Sequence, residues 1–433
     1  MAKKFEFGAF LRKNAVTIMF VLLCLLCLAY SGQSLNFVMY ELFGRLSRNA
    51  FIVLALIIPI VAGMGINFAI TIGAMAAQIA TLLVIEFAEG GLWDAIAAKL
   101  GLDFAFGGTI ALAAAAIITI PLAAFFGYLI GKLLNKMKGQ EMIGGMILGY
   151  FANGLYQLLF LFIFGNLIPL HADGLVIMGS TGVANTIDLS VNDRFKYALD
   201  GLWSMPFVDA AYLLFGVLVL VVVLMLRFKK IKLEKAVTYI GLMAGLGMLL
   251  QVPYVADLFS MVKVPMVTFL IVGVLCLFNT ALLKTRLGQK FRAVGQNRTV
   301  ANASGINVDR TRVIAIMIST VLAGWGQLIF VQNMGSFQTY GAHEQVGLYA
   351  GAAILVGGAG IRRATNGQAL LGCILFHLLF IVAPNAGKNL FGDAAIGEYF
   401  RVFISYGVIA LALVMHAWSG IQKKKSAEET LKA

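Results

Sequence analysis

Uncharged polar side chains inside long apolar stretches are the residues of this chain best suited to chemistry, and that chemistry is reversible binding. Asn67, Thr71 and Gln78 surround an interruption in one apolar stretch. Asn153 and Gln157 stand four residues apart in another stretch, so a helix would place them on one face. Amides and hydroxyls can exchange hydrogen bonds with a hydroxyl-rich solute without a charge to hold it. The candidate binding residues are Asn67, Thr71, Gln78, Asn153, Gln157 and Gln327.

Hydrogen bonding between neighbouring helices is the alternative role for the same side chains. Such bonds contribute about 0.6 kcal/mol each on average in membrane bundles, and they use the same residue types. For any one candidate this structural role is the simpler expectation. The residues from Asn67 to Gln78 have a second reason to bind, because an interrupted helix frees backbone polar groups for other partners.

Catalytic and metal-binding patterns do not emerge from the sequence. His171, His343, His377 and His416 are far apart and lack the spacing of metal ligands. The four Cys residues form no pattern of paired ligands, so we expect neither a disulfide nor a metal. The segment Gly127–Lys132 imitates a phosphate-binding loop, but its glycine spacing is wrong. We therefore expect a chain without enzymatic activity, cofactor or bound metal.

The elements that position the polar side chains must be membrane-spanning helices. Of the 433 residues, 61% are apolar and 12% are charged, against about 45–50% and about 25% in an average soluble domain. The mean hydropathy is +0.91, which excludes a soluble globule. The net charge of +13 does not indicate nucleic-acid binding, because no solvated basic domain carries it. With about 20 residues per crossing, we predict an all-α transmembrane bundle of about 10–12 helices, including short or broken ones.

Apolar stretches separated by short polar segments outline these helices. They cover about 15–29, 51–86, 108–131, 142–165, 207–228, 237–252, 262–283, 313–331, 347–360, 368–384 and 401–419. The first follows a group of cations and imitates a signal peptide, but we expect a retained span because the cleavage site is weak. The stretch 51–86 is too long for one crossing and contains helix-breaking residues. We predict two short helices that meet at a break formed by Pro59, Gly63, Gly65 and Asn67.

Lys and Arg cluster in alternate connecting segments, which predicts the orientation of the chain. Six segments hold 25 of the 33 cationic residues: 1–14, 131–141, 227–235, 284–312, 361–367 and 420–433. By the positive-inside rule these segments face the cytoplasm. We therefore predict an even number of crossings, both termini in the cytoplasm and a charged cytoplasmic tail over 420–433. The outer segment 166–206 carries four Asp residues and is expected to meet an external partner.

The basic segment 284–312 is unusually long for a connection between two spans. It contains seven cations and several small residues, which would let a short helix lie flat against another protein. Loops of this length are usually functional or disordered. Composition alone is also compatible with a solvated loop that only fixes the topology.

A sequence pattern in this segment favours the functional interpretation. The run Phe291–Asn297, followed by Ala301, Ala303 and Gly305–Val308, closely resembles the cytoplasmic coupling loop of permease subunits of bacterial ABC importers for simple sugars and nucleosides. The Gly-rich run Ala350–Gly358 is similar to a late helix pair of the same branched-chain amino acid and ribose-type permease family. In that family the loop inserts a short helix into a cleft of the ATPase subunit.

The match is looser elsewhere. The segment Glu141–Tyr150 resembles the start of a central span in the nucleoside-type branch, but Gly149 stands where that branch commonly has Asn. The break over Ile66–Gly73 is similar to the family's helix break, yet the acidic residue that often follows is absent. These departures leave the identity of the solute open.

The resemblance implies a permease that works with separate proteins. The implied partners are cytoplasmic ATPase subunits, an extracytoplasmic solute-binding protein and a second permease, identical or similar, in the bacterial inner membrane. Residues 1–433 would form one transmembrane permease domain, with 284–312 as the coupling loop. The residues implied to couple to the ATPase are Arg292, Ala293, Gly295, Asn297, Ala301, Gly305, Ile306 and Asn307.

The function implied by the resemblance is import of a simple sugar or nucleoside by alternating access, driven by ATP hydrolysis on another subunit. A stand-alone transporter of a small polar solute, coupled to sodium, is the alternative that the residues leave open. The predicted span centres lack Asp, Glu, Lys and Arg, which disfavours coupling to protons. Backbone carbonyls and hydroxyls at a helix break could still hold sodium.

Overall fold

A helical bundle accounts for most of the described chain. The computed structural model of the protein describes residues 14–88, 92–101, 107–137, 139–164, 166–168, 170, 175, 182–191, 195–228, 231–360, 363–403, 406–407, 410 and 414. The predictions for the N-terminal cations and for the tail over 420–433 lie outside the described residues.

The helices vary from one turn to eight turns. They are α1 (Ala15–Ser31), α2 (Leu35–Ala55), α3 (Ile57–Val61), α4 (Ile70–Ala88), α5 (Leu92–Lys99), α6 (Gly107–Lys136), α7 (Glu141–Leu158), α8 (Phe207–Arg227), α9 (Leu233–Leu249), α10 (Pro253–Leu258), α11 (Met266–Leu282), α12 (Arg286–Gln296), α13 (Arg298–Ala303), α14 (Val308–Met334), α15 (Val346–Val356) and α16 (Asn366–Phe391). A π-helical turn, Leu159–Ile163, extends α7. A further helical segment covers 394–403.

Four short strands form two antiparallel ribbons. Strand β1 (Thr186–Asp188) pairs with β4 (Ser336–Gln338), and β2 (Ser204–Pro206) pairs with β3 (Lys263–Pro265). The first ribbon follows directly on the C-terminal end of α14. It therefore lies at the end of that helix opposite to the basic segment 284–312, which precedes α14.

The predicted membrane bundle is confirmed. Within the described residues, eight helical stretches are long and apolar enough to cross a membrane, and a ninth is formed if α11 and α12 count as one span bent by 75°. Two shorter apolar helices, α1 and α15, add to these. The bundle of about 10–12 helices that includes short and broken ones is thus what the structure shows.

Helix α14 lies at the centre of the bundle and packs against α2, α4 and α6. Most of its side chains are buried. The approach of α4 is close enough to require glycine at position 73, because a Cβ atom there would lie 2.3 Å from the carbonyl oxygen of Thr320. Small residues at such crossings let two backbones meet, and this close packing stabilises helix pairs in a membrane.

Helices α8 and α9 pack mainly against each other, and most of their side chains are exposed in the isolated chain. Their exposed residues are almost all apolar, such as Leu220, Val223 and Leu242. An apolar exposed surface on a membrane-spanning hairpin faces lipid or another membrane subunit.

The predicted break in 51–86 is confirmed, but its first helix begins much earlier than expected. Residues 62–69 separate α3 from α4, and Gly63 and Gly65 adopt positive φ angles there. Helix α2 already begins at Leu35, so Arg45 and Arg48 lie inside a candidate span. The prediction that span centres lack charge was therefore wrong. Hydropathy placed these cations outside the span, because it contains no information on which side chains face the bundle interior.

The outer segment is less exposed than its four Asp residues suggested. Asp200 is buried and accepts hydrogen bonds from Thr268 at 2.5 Å and from Asn333 at 2.6 Å. Asp188 is exposed and bonds to Ser190. Asp173 and Asp193 lie outside the described residues. Asp200 thus joins α11 to α14, which is a structural role.

Candidate functional sites

A chain of polar side chains, three of them buried, joins α4, α7 and the turn before α15. Gln78 Oε1 accepts a hydrogen bond from the Tyr156 hydroxyl at 2.8 Å and lies 2.8 Å from His343 Nδ1. On the other side of the ring, His343 Nε2 lies 2.8 Å from Asn153 Oδ1. Asn153 Nδ2 donates to Glu344 Oε1 at 2.9 Å. We call Gln78, Asn153, Tyr156, His343 and Glu344 the polar chain.

The surroundings of the polar chain keep water from its inner end. Gln78 and His343 are buried, and the Tyr156 ring packs against His343 with its centroid at 4.6 Å and against Phe160 at 4.3 Å. A neutral imidazole donates from one nitrogen and accepts at the other, and a primary amide can do both. A neutral His343 can therefore donate to only one of the two amide oxygens beside it, and Gln78 Nε2 is buried without a hydrogen-bond partner within the described part of the chain.

The predicted residues at the break cap the backbone there. Asn67 Oδ1 accepts from the Ala69 amide at 3.2 Å, and the Thr71 hydroxyl donates to the Phe68 carbonyl at 2.8 Å. Both side chains are buried, and within the described part of the chain Asn67 Nδ2 has no hydrogen-bond partner. The break is thus held by its own polar side chains, and one donor remains available.

The other predicted binding residues occupy three different environments. Gln78 and Asn153 come together through His343, as described above. Gln157 is half-buried one turn beyond Asn153 on α7, a helix whose surface is largely exposed. Gln327 is fully buried on the far side of the turn, where its Nε2 donates to the Ala342 carbonyl at 3.5 Å. The structure therefore separates Gln327 from the polar chain.

Sequence reasoning did not identify Tyr156, His343 or Glu344 as members of a site. The residues that His343 contacts are 265 and 190 positions away in the chain. No local spacing could reveal these contacts, because only the packing of α4 and α7 around the turn creates them. Among the described residues no group of three or more His, Cys, Asp or Glu side chains could hold a metal ion.

The segment 284–312 forms two short helices, α12 and α13, and the first turn of α14, rather than an irregular loop. A side chain caps the first turn of each helix. Thr285 accepts a hydrogen bond from the Gly288 amide at the start of α12, and Asn297 accepts from the Thr299 and Val300 amides at the start of α13. Asn307 accepts from the Arg310 amide at the start of α14. These N-cap bonds satisfy backbone donors that a helix leaves unpaired. Asn297 and Asn307 therefore fix the ends of α13 and α14.

The inner face of this segment packs on the break between α3 and α4. Phe291, Val294 and Ala301 are buried. Gly295 lies so close to the end of α3 that a Cβ atom on it would stand 2.1 Å from the Val61 carbonyl oxygen. A Cβ atom on Gly63 would stand 2.6 Å from the Gly295 Cα atom. The two backbones are in direct contact, with no room for a side chain between them.

An ion cluster ties the same segment to two further helices. Arg298 Nη2 lies 2.7 Å from Glu141 Oε1 at the start of α7, and Arg312 Nη2 lies 2.5 Å from the same oxygen. Arg298 also donates to the Gly63 carbonyl at 3.0 Å. Arg312 and Glu141 are buried, whereas the Arg298 side chain is 35% exposed. Charge-assisted bonds of this kind are short and directional. Glu141 was not predicted as a member of this site.

The outer face of α13 is exposed in the isolated chain. Val300 is 59% exposed, although it is apolar, and Thr299, Asn302 and Ala303 are exposed beside it. Grooves of about 710 and 440 Å³ lie on the two sides of α13.

The eight predicted coupling residues divide between these two faces. Gly295 and Ala301 are buried under the segment and position it, and Asn297 and Asn307 cap helices. Arg292 and Gly305 are exposed, while Ala293 and Ile306 are half-buried. Gly305 has a φ of +78° at the end of α13, a conformation that favours glycine.

Comparison with known proteins gives a family match over most of the chain. The family model described as "Branched-chain amino acid transport system / permease component" matches residues 39–413. No solved structure matches the chain.

Individual relatives match shorter stretches. The nucleoside ABC transporter permease protein NupB of Lactococcus lactis is 26% identical over 147 residues, which cover 33% of this chain and 38% of the relative. The ribose import permease protein RbsC of Escherichia coli is 30% identical over 132 residues, which cover 30% and 39%. The xylose transport system permease protein XylH of Haemophilus influenzae is 25% identical over 172 residues, which cover 40% and 42%. The chain spans about two fifths of the length of these relatives.

Proposed function

Because the chain belongs to the family of branched-chain amino acid transport system permease components, we propose that it is the membrane-spanning subunit of an ATP-driven importer. The solute is a simple sugar or a nucleoside, since the named relatives are permeases for ribose, xylose and nucleosides. None of these relatives is a sodium-coupled transporter. ATP hydrolysis takes place on a separate cytoplasmic subunit.

The observation that carries this proposal is the placement of α13. Its outer face is exposed and presents Val300, while its inner side is joined by Arg298 to Gly63 and Glu141. A force applied to α13 by a partner therefore reaches the break between α3 and α4 and the first residue of α7. The break, α4 and α7 carry five of the candidate binding residues: Asn67, Thr71, Gln78, Asn153 and Gln157.

The transport step follows from this connection. When the two ATPase subunits close on ATP, α13 moves with the cleft that holds it, and the break and α7 move with α13. A shift of α4 relative to α7 changes the polar chain, because Gln78 and Asn153 lie on different helices and meet only through His343. The pathway then opens to the other side of the membrane, which is alternating access.

The partners we propose are two ATPase subunits, an extracytoplasmic solute-binding protein and a second permease. We propose that α13 and both termini face the cytoplasm, in the inner membrane of a bacterium, because the positive-inside rule favours that side for the basic segments. The exposed face of α7 with Asn153 and Gln157 lines the pathway where the second permease meets this one. Gly149 lies on the same helix against Thr71, where a Cβ atom on the glycine would stand 3.6 Å from the threonine hydroxyl oxygen.

Replacing Gln157 with Ala is expected to change the solute preference more than the amount of folded protein. Gln157 is half-buried on the exposed helix α7, so the variant loses a polar contact in the pathway and little packing. We expect a several-fold change in the ratio of ribose to uridine uptake by proteoliposomes that contain the complete importer. The control is Gln289→Ala on α12, which is exposed and far in sequence from α7. An unchanged ratio in Gln157→Ala would remove this residue from the pathway.

Val300→Asp is expected to lower the yield of co-purified ATPase subunit at least about tenfold. A carboxylate in the centre of a desolvated protein contact has no partner and loses its hydration, which costs well over 1.4 kcal/mol, the value of a tenfold change. The measurement is a pull-down of the detergent-solubilised permease from its native cells, with the ATPase quantified against the permease.

The matched control adds the same charge to the same end of the molecule. Gln289→Asp places a carboxylate on the exposed surface of α12, outside α13, and should leave the yield of ATPase unchanged. If Val300→Asp retains the ATPase and supports uptake like the unaltered protein, α13 is not the contact and the proposed function loses its main support.

A further inference from the structure

A groove of about 610 Å³ lies between α2, α6, α11 and α14, apart from the polar chain and from the basic segment 284–312. Its lining includes Ala113 and Ala124 of α6, Val274 and Phe278 of α11, and Val321 and Leu328 of α14. All four helices belong to candidate membrane spans. Ala113, Val274 and Phe278 are exposed, so the groove is open to the surroundings of the bundle, which are lipid in a membrane.

The groove offers no free hydrogen-bonding side chain to an occupant. Thr109 and Trp325 are the two lining residues whose side chains carry N–H or O–H donors. The Thr109 hydroxyl donates to the Ala198 carbonyl at 2.8 Å, and Trp325 Nε1 donates to the Ala116 carbonyl at 3.0 Å. A polar solute that entered the groove would lose its hydrogen bonds to water without replacement, which is costly. The occupant must therefore be apolar.

The length of the groove matches one lipid tail. Its lining residues run from Thr109 to Ala124 on α6 and from Met317 to Ile329 on α14. At 1.5 Å per residue these stretches are about 22 and 18 Å long. The hydrocarbon core of a bilayer is about 30 Å thick, so the tails of one leaflet reach about 15 Å into it. A single tail thus fits along the groove from end to end.

The width of the groove distinguishes a lipid tail from a helix of another protein. A volume of about 610 Å³ over a length of about 20 Å gives a mean cross-section of about 30 Å². An α-helix with its side chains is about 10–12 Å across, which is a cross-section of about 80–110 Å². Only a few side chains of a helix could enter the groove. An acyl chain is a single file of methylene groups and fits inside it.

Residues of both large hydrophobic clusters of the bundle line the groove. Phe51 and Leu322 belong to one cluster, Leu112 and Leu328 belong to the other, and Trp325 packs against both. An apolar chain in the groove would cover part of each cluster. Covering apolar surface is favourable in proportion to its area, so occupancy should stabilise the packing of α14 with its neighbours.

We propose that the groove binds one acyl chain of a membrane phospholipid, which lies along α14 between α6 and α11. The headgroup and the second tail remain in the surrounding bilayer. This inference requires the membrane bundle and is independent of the ATPase partner, so it goes beyond the proposed function.

Photocrosslinking identifies the occupant directly. The full-length protein, with benzoylphenylalanine in place of Val274, is expressed in its native cells and exchanged into detergent, which removes lipid from the protein surface. Irradiation then joins the residue to its neighbour, and mass spectrometry identifies the adduct. We expect a phospholipid adduct at least about tenfold more abundant than with the same residue in place of Leu277, which is 71% exposed on α11 outside the groove.

An indole ring in the groove should expel the lipid. Val321→Trp should lower the amount of phospholipid that the purified protein retains at least about tenfold, because the ring occupies the same space. Added phospholipid should raise the melting temperature of the delipidated unaltered protein but not that of this variant. The matched control, Leu277→Trp, should retain lipid and respond to it like the unaltered protein. Ala113→Trp, at the exposed edge of the groove, gives the same test if Val321→Trp fails to fold.

Three results would overturn the inference. A protein-sized adduct at position 274 would show that another subunit or a second copy covers the groove. A phospholipid adduct no more abundant than at position 277 would show only surface lipid. Unchanged phospholipid retention in the folded Trp variants of the groove would show that the retained lipid lies elsewhere. The ATPase pull-down with Val300→Asp is independent of all three readings, so either proposal can fail without the other.

Discussion

Glu141→Gln is expected to destabilise the protein and to uncouple ATP hydrolysis from transport. The carboxylate is the only acidic group that the structure shows within ion-pair distance of Arg298 and Arg312 among the described residues. Arg312 is buried, so its charge would remain inside the protein without a partner. Removing one member of a buried ion pair typically costs about 3–5 kcal/mol. Differential scanning fluorimetry in detergent measures the loss of stability, and proteoliposomes that contain the ATPase measure transport per ATP hydrolysed.

A double substitution separates the effect of the charge from a general loss of packing. Replacing both Glu141 and Arg312 with Met removes the two buried charges together, which is often neutral for stability. The double variant should therefore recover much of the melting temperature lost in Glu141→Gln, while transport stays uncoupled because α7 is no longer joined to α13.

The matched control is an exposed ion pair. Glu398→Gln breaks the contact with Arg401, and because Glu398 is 57% exposed the change should have little effect on stability. A Glu141→Gln protein that melts and transports like Glu398→Gln would show that the ion cluster neither stabilises the segment nor transmits its motion.

Helix positions could be predicted where apolar composition and helix-breaking residues indicate the same boundaries. The apolar stretches 207–228 and 313–331 correspond to α8 and to the inner part of α14. The break was predicted from its Gly residues and Asn67, and the structure places it at residues 62–69 because Gly63 and Gly65 adopt conformations that end a helix. Pro59 lies within α3, and the interruption between α2 and α3 at Leu56 comes about one turn before it, where a proline removes a helical hydrogen bond.

Helix α2 shows where such reasoning fails. Glu41, Arg45 and Arg48 lower the local hydropathy, so the sequence indicated an outer loop rather than the first half of a span. Their cost in the membrane is offset by contacts with Asn333 and with each other, which depend on the packing of α2 against α14. A hydropathy window contains no information on that packing.

The candidate binding residues also show what the sequence could and could not predict. Gln78, Asn153 and Gln327 were predicted because amides are uncommon inside apolar stretches. The contacts that give them their environments are not local: His343 joins the first two, whereas Gln327 faces a cavity on the other side of the same turn. The sequence could thus identify these amides as candidates, whose binding role stays a prediction, but it could not show that the six candidates lie in different environments.

Gly295→Val is expected to prevent coupling by separating the basic segment from the helix break. A Cβ atom at this position would lie 2.1 Å from the Val61 carbonyl oxygen, and a valine adds two further methyl groups. The backbone of α3 cannot yield like a flexible side chain, so α12 must shift outward and Arg298 must lose its bond to the Gly63 carbonyl. Overpacking of this kind typically costs about 1–3 kcal/mol. We expect uptake by the complete importer to fall below about a tenth of its normal rate.

The control for this prediction is Gly273→Val on α11, where a Cβ atom would meet no other atom within 4 Å. It makes the same change in a helix of the same bundle, so it should leave uptake and ATPase recovery near normal. Gly295→Val should still co-purify the ATPase, because Val300 and the outer face of α13 are unaltered, and basal hydrolysis should continue without transport. This combination distinguishes a broken connection from a lost contact. If Gly295→Val transports like Gly273→Val, the backbone contact between α12 and α3 does not carry motion into the bundle.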